Sequence, residues 1–179
     1  MKKWLAFIGL FSAQVFSQNA FVTDSLDVYV TRAMTQWQLP GLVVSIVKDG
    51  KIIKMQGYGV RESGKPDKVD EHTLFLIGSC TKAFTATSIC ILESEKKLSL
   101  EDKVTKWIPD FKLYATLATQ EVTLRDMICH RVGFRTFQGD FVNWNSDLSR
   151  QEIIHNVRNY KPVYGFRTRY GYFNAGFVT

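Results

Sequence analysis

The chain has 179 residues, 45% of them hydrophobic and 13% aromatic, which is enough apolar material for a globular core and excludes a disordered chain. Its formal net charge of +6 comes from basic residues that are scattered rather than gathered in a block. No nucleic-acid-binding motif accompanies that charge, so we expect no nucleic-acid partner.

The N-terminal segment has the pattern of a secretory signal. Two lysines follow Met1, residues 4–11 are apolar, and Val15 and Ser17 are small residues before a cut near Gln18. The apolar run is too short to span a bilayer stably. We therefore predict a signal peptide over residues 1–17 and a mature protein that is secreted or in the bacterial periplasm. An uncleaved N-terminal anchor is the alternative.

A helix and a hairpin are predicted next. Asp24 or Ser25 can cap a helix. Its apolar residues recur at spacings of three and four: Leu26, Tyr29, Val30, Ala33, Met34 and Trp37. Residues 42–48 and 51–60 then flank Asp49-Gly50, a dipeptide that favours a two-residue hairpin turn. A lone hairpin is marginal in water, so these strands need further elements against them.

A polar loop over residues 61–72 leads to an apolar helix that begins near Ser79. Lys82 is the one charged residue between Thr73 and Leu92, and residues 83–92 are apolar or small on every face, which predicts a fully buried helix. A buried lysine must be paired or lose its proton, and a neutral lysine is a base. Ser79 and Lys82 are three residues apart and share a helical face, as a nucleophile and its base require.

The same S-x-x-K spacing occurs twice more in the chain. Ser45 and Lys48 lie in a predicted strand, where residues three apart point to opposite faces. Ser94 and Lys97 lie in a charged stretch typical of a solvated helix end. Only Ser79 opens an apolar helix, so Ser79 and Lys82 are the candidate catalytic pair.

Further helices are predicted downstream. Residues 98–104 indicate a short helical turn. Thr123 can cap a short helix that runs to His130, with Gly133 as its stop. Ser149 and Glu152 form a capping box that opens a helix to about residue 159.

Three cysteines follow the predicted signal peptide: Cys80, Cys90 and Cys129. Because their number is odd, at least one is unpaired, and Cys80 and Cys90 on one helix would lie about 15 Å apart. We expect all three to be small buried side chains. Together with His72 and His130 they lack the short paired spacing of a structural zinc site, so we expect no metal.

Tyr172 and Asn174 form the chain's only Y-x-N. Side chains two residues apart in extended backbone point to the same side. The phenol could pass a proton to a leaving group while the amide binds a substrate carbonyl. Taken alone, Tyr172 is more readily an ordinary interior aromatic residue.

Three segments together resemble one family. The similarity is to motifs of the serine β-lactamase-related family, in the branch that includes class C β-lactamases, DD-peptidases and esterases. The segments that carry it are residues 77–84 (IGSCTKAF), 122–134 (VTLRDMICHRVGF) and 172–174 (YFN). The resemblance runs from about residue 39 to residue 179. It implies that Ser79 is the nucleophile and Lys82 its base partner. It places Tyr172 and Asn174 in the second catalytic motif, and we interpret residues 130–133 as a structural loop.

The resemblance also implies an α+β fold, in which an antiparallel sheet of N- and C-terminal strands lies beside a helical domain with the active site between them, and no cofactor or metal. The family's third motif, Lys or His followed by Thr or Ser and Gly on a C-terminal strand, has no counterpart here. We therefore expect residues 18–179 to be the N-terminal part of such a domain, incompetent as an enzyme by itself.

The function implied is that of a secreted serine hydrolase acting through an acyl-enzyme on a small-molecule or peptide substrate: a β-lactam, a D-amino-acid peptide or an ester. A penicillin-binding or sensor module that is acylated without turnover is an alternative, as is a catalytically inactive relative. An α/β-hydrolase is a poor match, because Ile77 stands where the G-x-S-x-G elbow needs glycine.

Overall fold

The computed structural model describes residues 20–179, so the predicted signal peptide lies outside the described residues. The chain divides into two compact units, one ending at Leu76 and the other running from Ile77 to Thr179. Across residues 20–179, no helix has the length and apolar character that a membrane crossing requires.

The first unit contains one helix and a hairpin, as the sequence predicts. Helix α1 (Leu26–Trp37) follows a single π-helical turn (Phe21–Ser25). Strands β1 (Gly41–Lys48) and β2 (Lys51–Gly59) pair antiparallel, with a bulge after Ile46. Asp49 and Gly50 have φ values of 51° and 72°, the left-handed backbone that a type I′ hairpin turn requires. The prediction from Asp49-Gly50 is therefore confirmed.

Helix α1 is tied to β2 through one carboxylate. Asp27 accepts hydrogen bonds from Lys54 Nζ and Tyr58 Oη, each at 2.5 Å. Leu26 and Val30 are buried on the same helix, whereas Tyr29 and Trp37 are 63% and 77% exposed. The apolar stripe of α1 is thus only partly covered by the residues that the structure describes.

The second unit is helical. A 3₁₀ turn (Gly78–Cys80) leads into α2 (Thr81–Ser94), and six shorter helices follow: α3 (Val104–Trp107), α4 (Thr116–Glu121), α5 (Leu124–Ile128), α6 (Asp140–Asn143), α7 (Arg150–Asn156) with a 3₁₀ turn (Val157–Asn159), and α8 (Ala175–Val178). Helix α8 packs against α5 and α7. Helices plus a small antiparallel sheet agree with the predicted α+β class.

Local capping fixes where two of these helices begin. Thr123 with Asp126, and Ser149 with Glu152, form complete capping boxes in which the hydroxyl and the carboxylate each accept from the other residue's backbone N–H. Helix α5 ends at Ile128 rather than at the predicted His130. His130 itself takes a left-handed φ of 56°, so the helix stops before Gly133 is reached.

The core of the second unit is an apolar cluster drawn from every part of its sequence. Its buried members are Val104, Phe111, Leu113, Ala118, Val122, Met127, Val132, Phe134, Val157, Phe173 and Ala175. Phe173 is 0% exposed and packs on Phe134 with ring centroids 4.6 Å apart. Because Phe173 lies between Tyr172 and Asn174 in the chain, this cluster anchors the Y-x-N segment.

Two burial predictions are wrong. Helix α2 contains no buried residue, and Phe84 and Ile91, which share a face, are 67% and 51% exposed. Cys80, Cys90 and Cys129 are also exposed rather than buried. An apolar sequence shows that a helix can accept packing on any face, but the described residues cover only part of α2.

Candidate active site

Ser79 lies in the 3₁₀ turn at the start of α2, where two side chains converge on its hydroxyl. Lys82 Nζ is 3.2 Å from Ser79 Oγ, one helical turn along the same face. Tyr172 Oη donates to Ser79 Oγ at 2.5 Å from the far end of the second unit. The reach expected from the i,i+3 spacing is therefore present, and the phenol is the closer of the two groups.

Lys82 is half-buried, so the prediction that its amine is fully buried is wrong. Its Nζ lies 4.8 Å from the centroid of the Tyr172 ring and 5.5 Å from that of Phe177. Within residues 20–179, Lys82 forms no salt bridge. The ammonium group of Lys82 therefore contacts the faces of two aromatic rings, those of Tyr172 and Phe177, rather than a carboxylate.

The segment that carries Tyr172 is fixed by its backbone. Phe137 N–H donates to the Tyr172 carbonyl at 2.8 Å, and Tyr172 N–H donates to Thr136 Oγ1 at 3.3 Å. A Cβ on Gly171 would lie 1.8 Å from the Phe134 carbonyl oxygen, so only glycine fits there. The position of the Tyr172 phenol is thus fixed by these backbone hydrogen bonds and by the close approach of Gly171 to Phe134.

Opposing effects act on the Tyr172 pKa. Burial is the largest effect and raises it, but the hydrogen bonds with Lys82 and Ser79 and the charge of Lys82 together leave the pKa below its ordinary value. A phenol with a lowered pKa gives up its proton more readily, as a base beside a serine must.

His130 packs against the ring of Tyr172, a role that was not predicted from the sequence. Its ring stacks on Tyr172 with centroids 4.7 Å apart and a 28° interplanar angle. Its Nδ1 accepts the buried Phe173 N–H at 3.0 Å, so that nitrogen carries no proton. Burial, aided by the charge of Lys82, lowers the His130 pKa, which favours the neutral ring. The available signal was its position in the motif at residues 122–134, of which we interpreted residues 130–133 as a structural loop.

An ionic cluster around the buried Asp126 holds the chain on either side of His130. Asp126 is 0% exposed and accepts from Arg131 Nε at 2.6 Å and Arg167 Nη2 at 2.7 Å. Burial opposes ionisation, but the hydrogen bonds from Arg167, Thr123 and Arg131 outweigh it and lower the Asp126 pKa to about 2. The carboxylate therefore stays charged at neutral pH and ties α5 to the loop that contains Arg167.

Asn174 lies on the wall of a cavity next to Ser79. Its Nδ2 donates to Asp140 Oδ2 at 2.5 Å. The cavity has a volume of about 630 Å³. The lining residues are Ser79, Phe137, Asp140, Phe141, Asn143, Trp144, Ile153, Tyr172, Asn174, Ala175 and Val178. Ser79, Tyr172 and Asn174 thus share one cavity, with Lys82 at hydrogen-bonding distance from its serine.

In the part of the chain that the structure describes, no group of three or more His, Cys, Asp or Glu side chains is placed to hold an ion. A hydroxyl with a phenol and an amine beside it can act instead as a nucleophile with a proton-transfer pair.

Comparisons with known proteins agree on one family. A family model described as Beta-lactamase matches residues 26–179. Protein flp of Staphylococcus aureus (strain MW2) is 28% identical over 136 residues, which cover 76% of this chain and 25% of flp. The chain thus spans about a quarter of the length of that curated relative.

Solved structures show the same fold. The octameric penicillin-binding protein homologue from Pyrococcus abyssi matches with a TM-score of 0.72 and 29% identity, over 86% of this chain and 36% of that one. A class C beta lactamase matches with a TM-score of 0.71 and 22% identity, over 89% of this chain and 43% of that one. These likenesses confirm the predicted β-lactamase/transpeptidase-like fold.

Proposed function

The chain belongs to the beta-lactamase family, and from that premise we propose that it is a serine hydrolase that forms an acyl-enzyme at Ser79. The observation that carries the proposal is the convergence of Tyr172 Oη and Lys82 Nζ on Ser79 Oγ, at 2.5 and 3.2 Å. Nucleophile and proton acceptor within hydrogen-bonding reach are the signature of activated-serine catalysis.

The reaction proceeds in two halves. Ser79 Oγ attacks the substrate carbonyl carbon while its proton passes to the Tyr172–Lys82 pair. The pair returns that proton to the leaving group as the scissile bond breaks, which leaves an ester on Ser79. Water then attacks this ester, its proton moves to the same pair, and the serine is regenerated with release of the acid.

Lys82 acts in this scheme through its positive charge, which lowers the Tyr172 pKa and so favours the phenolate that takes the Ser79 proton. Tyr172 carries the proton to the leaving group. Asn174, on the wall of the same cavity, binds the acyl part of the substrate. We propose as substrate a β-lactam, a D-amino-acid peptide or an ester, met in the periplasm or outside the cell after removal of residues 1–17.

Active-site labelling tests the proposal. The full-length protein is treated with a fluorophosphonate or penicillin probe, and the modified peptide is located by mass spectrometry. We expect Ser79 to be the labelled residue and Ser79→Ala to abolish labelling. Ser88→Ala is the matched control, because Ser88 lies on α2, the helix that follows Ser79, but its hydroxyl donates to the Phe84 carbonyl.

Label on another serine, or undiminished labelling of Ser79→Ala, contradicts the assignment. Penicillin label that appears on Ser79 and is never released would favour the penicillin-binding or sensor module over the hydrolase, because acylation would then occur without turnover.

A further inference from the structure

The cavity beside Ser79 carries a negative charge that the proposed reaction does not use. Among the described residues that line it, Asp140 is the one acidic side chain and none is basic, while Lys82 lies behind the wall, 3.2 Å from Ser79 Oγ. Throughout residues 20–179, Asp140 forms no salt bridge. A substrate carboxylate placed near this carboxylate would be repelled and a cation attracted.

The bond between Asp140 and Asn174 fixes which way the Asn174 amide faces. An ionised carboxylate can only accept hydrogen bonds, so the amide must present its NH₂ group to Asp140. The amide oxygen Oδ1 then faces away from Asp140, and it accepts no hydrogen bond from residues 20–179. This part of the cavity therefore offers oxygen acceptors, which suit a ligand that donates.

The rest of the wall is aromatic. Phe137, Phe141 and Trp144 line the cavity and are 55%, 90% and 79% exposed. Large apolar rings beside a carboxylate suit a ligand with an apolar or aromatic side chain and a nearby ammonium group, which the ring faces also attract.

We propose that the cavity selects acyl groups that carry a free, protonated amine, bound by Asp140 and Asn174, with an aromatic or large apolar side chain against Phe141 and Trp144. The substrate class is an amide or ester of an apolar amino acid with an unblocked amino group. This inference rests on the proposed function at Ser79. The amine stays protonated throughout, so it contributes binding and takes no part in bond making.

The kinetic test uses matched substrates. The full-length protein is assayed at pH 7 with phenylalanine p-nitroanilide in each enantiomer, its N-acetyl derivative and 3-phenylpropanoyl p-nitroanilide, which lacks the amine. We expect kcat/KM to be about 5-fold higher for an unblocked enantiomer than for the two neutral compounds, since a partly exposed ion pair contributes up to about this much.

The variant Asp140→Asn keeps an oxygen acceptor for Asn174 while removing the charge. We expect it to abolish the preference for the amine, chiefly through KM. Asp147→Asn is the matched control, because it removes an exposed charge seven residues away that does not line the cavity, and it should retain the preference. Equal kcat/KM for amine-bearing and neutral substrates in the wild type, or an unchanged preference in Asp140→Asn, overturns the proposal.

A binding measurement separates this inference from the hydrolase proposal. Binding of 2-phenylethylammonium, 2-phenylethanol and 3-phenylpropionate is followed by calorimetry with Ser79→Ala. The ammonium probe should bind most tightly and the carboxylate least, with the difference lost when Asp140→Asn is added. If the three probes bind in that order but Ser79 is never labelled, the amine site is supported and the hydrolase proposal is refuted. If Ser79 is labelled but the probes do not bind in that order, the hydrolase proposal is supported and the amine site is refuted.

Discussion

At the scale of single residues, the reactivity of Ser79 depends on two neighbours that act differently. Tyr172 Oη is 2.5 Å from the serine oxygen, and Lys82 lies against both the serine and the phenol ring. The two neighbours contribute differently: the Lys82 ammonium lowers the Tyr172 pKa, and the Tyr172 phenol makes the short hydrogen bond to Ser79. Removing either should therefore affect the same chemical step.

We predict that Lys82→Met and Tyr172→Phe each slow acylation of the full-length protein by at least about 100-fold, because loss of a general acid–base group typically costs that much. Both replacements keep most of the side-chain volume, so the fold should persist. Single-turnover labelling gives the rate, and thermal melting checks the fold. Lys97→Met, in the S-x-x-K pair of Ser94 and Lys97, is the control and should acylate normally. Wild-type rates in both test variants would show that neither group acts in proton transfer.

At the scale of elements, the position of Tyr172 depends on how the segment before α8 crosses the chain at Phe134. Gly171 N–H donates to the His130 carbonyl at 2.9 Å, and Phe137 N–H donates to Tyr172. Phe173 packs on Phe134 in the core. The catalytic phenol is therefore set by the approach of two backbone segments, without a regular helix or strand beneath it.

We predict that Gly171→Ala lowers the free energy of unfolding by about 2 kcal/mol and slows acylation, because the new methyl would overlap the Phe134 carbonyl and push the segment away. Denaturant unfolding and single-turnover labelling measure the two effects. Gly64→Ala is the control: nothing lies within 4 Å of its Cβ position, but its φ of 82° disfavours alanine. It should cost about 1 kcal/mol without slowing acylation. Equal acylation by Gly171→Ala and the wild type would contradict this account of how Tyr172 is positioned.

At the scale of the whole molecule, two buried titratable groups make stability depend on pH. The His130 pKa is lower in the folded protein than its ordinary value of 6.5, so the unfolded chain binds more protons as the pH falls through that value. The Asp126 pKa is also lowered, from 3.8 to about 2. Both shifts make the folded state less stable in acid, each in its own window.

We predict that the free energy of unfolding is highest above pH 6.5, falls as the pH drops below 6.5 while His130 becomes protonated in the unfolded chain, and falls again between about pH 3.8 and pH 2 as Asp126 loses its charge. Denaturant unfolding at a series of pH values measures this. His130→Phe should remove the first decrease. Asp126→Asn should reduce the second, to which other carboxylates with a lowered pKa also contribute: Asp27, Asp70, Asp102, Glu121 and Glu152.

At pH 7, Asp126→Asn should also cost about 2 kcal/mol, because it removes the buried carboxylate that accepts charged hydrogen bonds from two partly exposed arginines. The control variants His155→Phe and Asp147→Asn change exposed residues and should leave the pH profile as it is. A wild-type profile that is flat from pH 7 to pH 5 would contradict the role assigned to His130.

The sequence by itself determined the structural features that depend on residues only a few positions apart in the chain. Asp49-Gly50 specifies the hairpin because both residues tolerate left-handed backbone, and the capping boxes at Thr123 and Ser149 specify where α5 and α7 begin. The reach of Lys82 to Ser79 follows from helical geometry alone. Choosing that pair over the two other S-x-x-K pairs also needed only local context, and the family followed from three short motifs in order.

The tertiary structure decided what depends on distant partners. Tyr172 meets Ser79 across 93 residues and Asn174 meets Asp140 across 34, and no periodicity or propensity encodes such a contact. The exposed state of α2 and of the cysteines, like the stacking of His130 on Tyr172, depends on which surfaces the rest of the chain supplies. Local backbone preference acts over a few residues, whereas burial and the alignment of a catalytic site are set by packing of the whole unit.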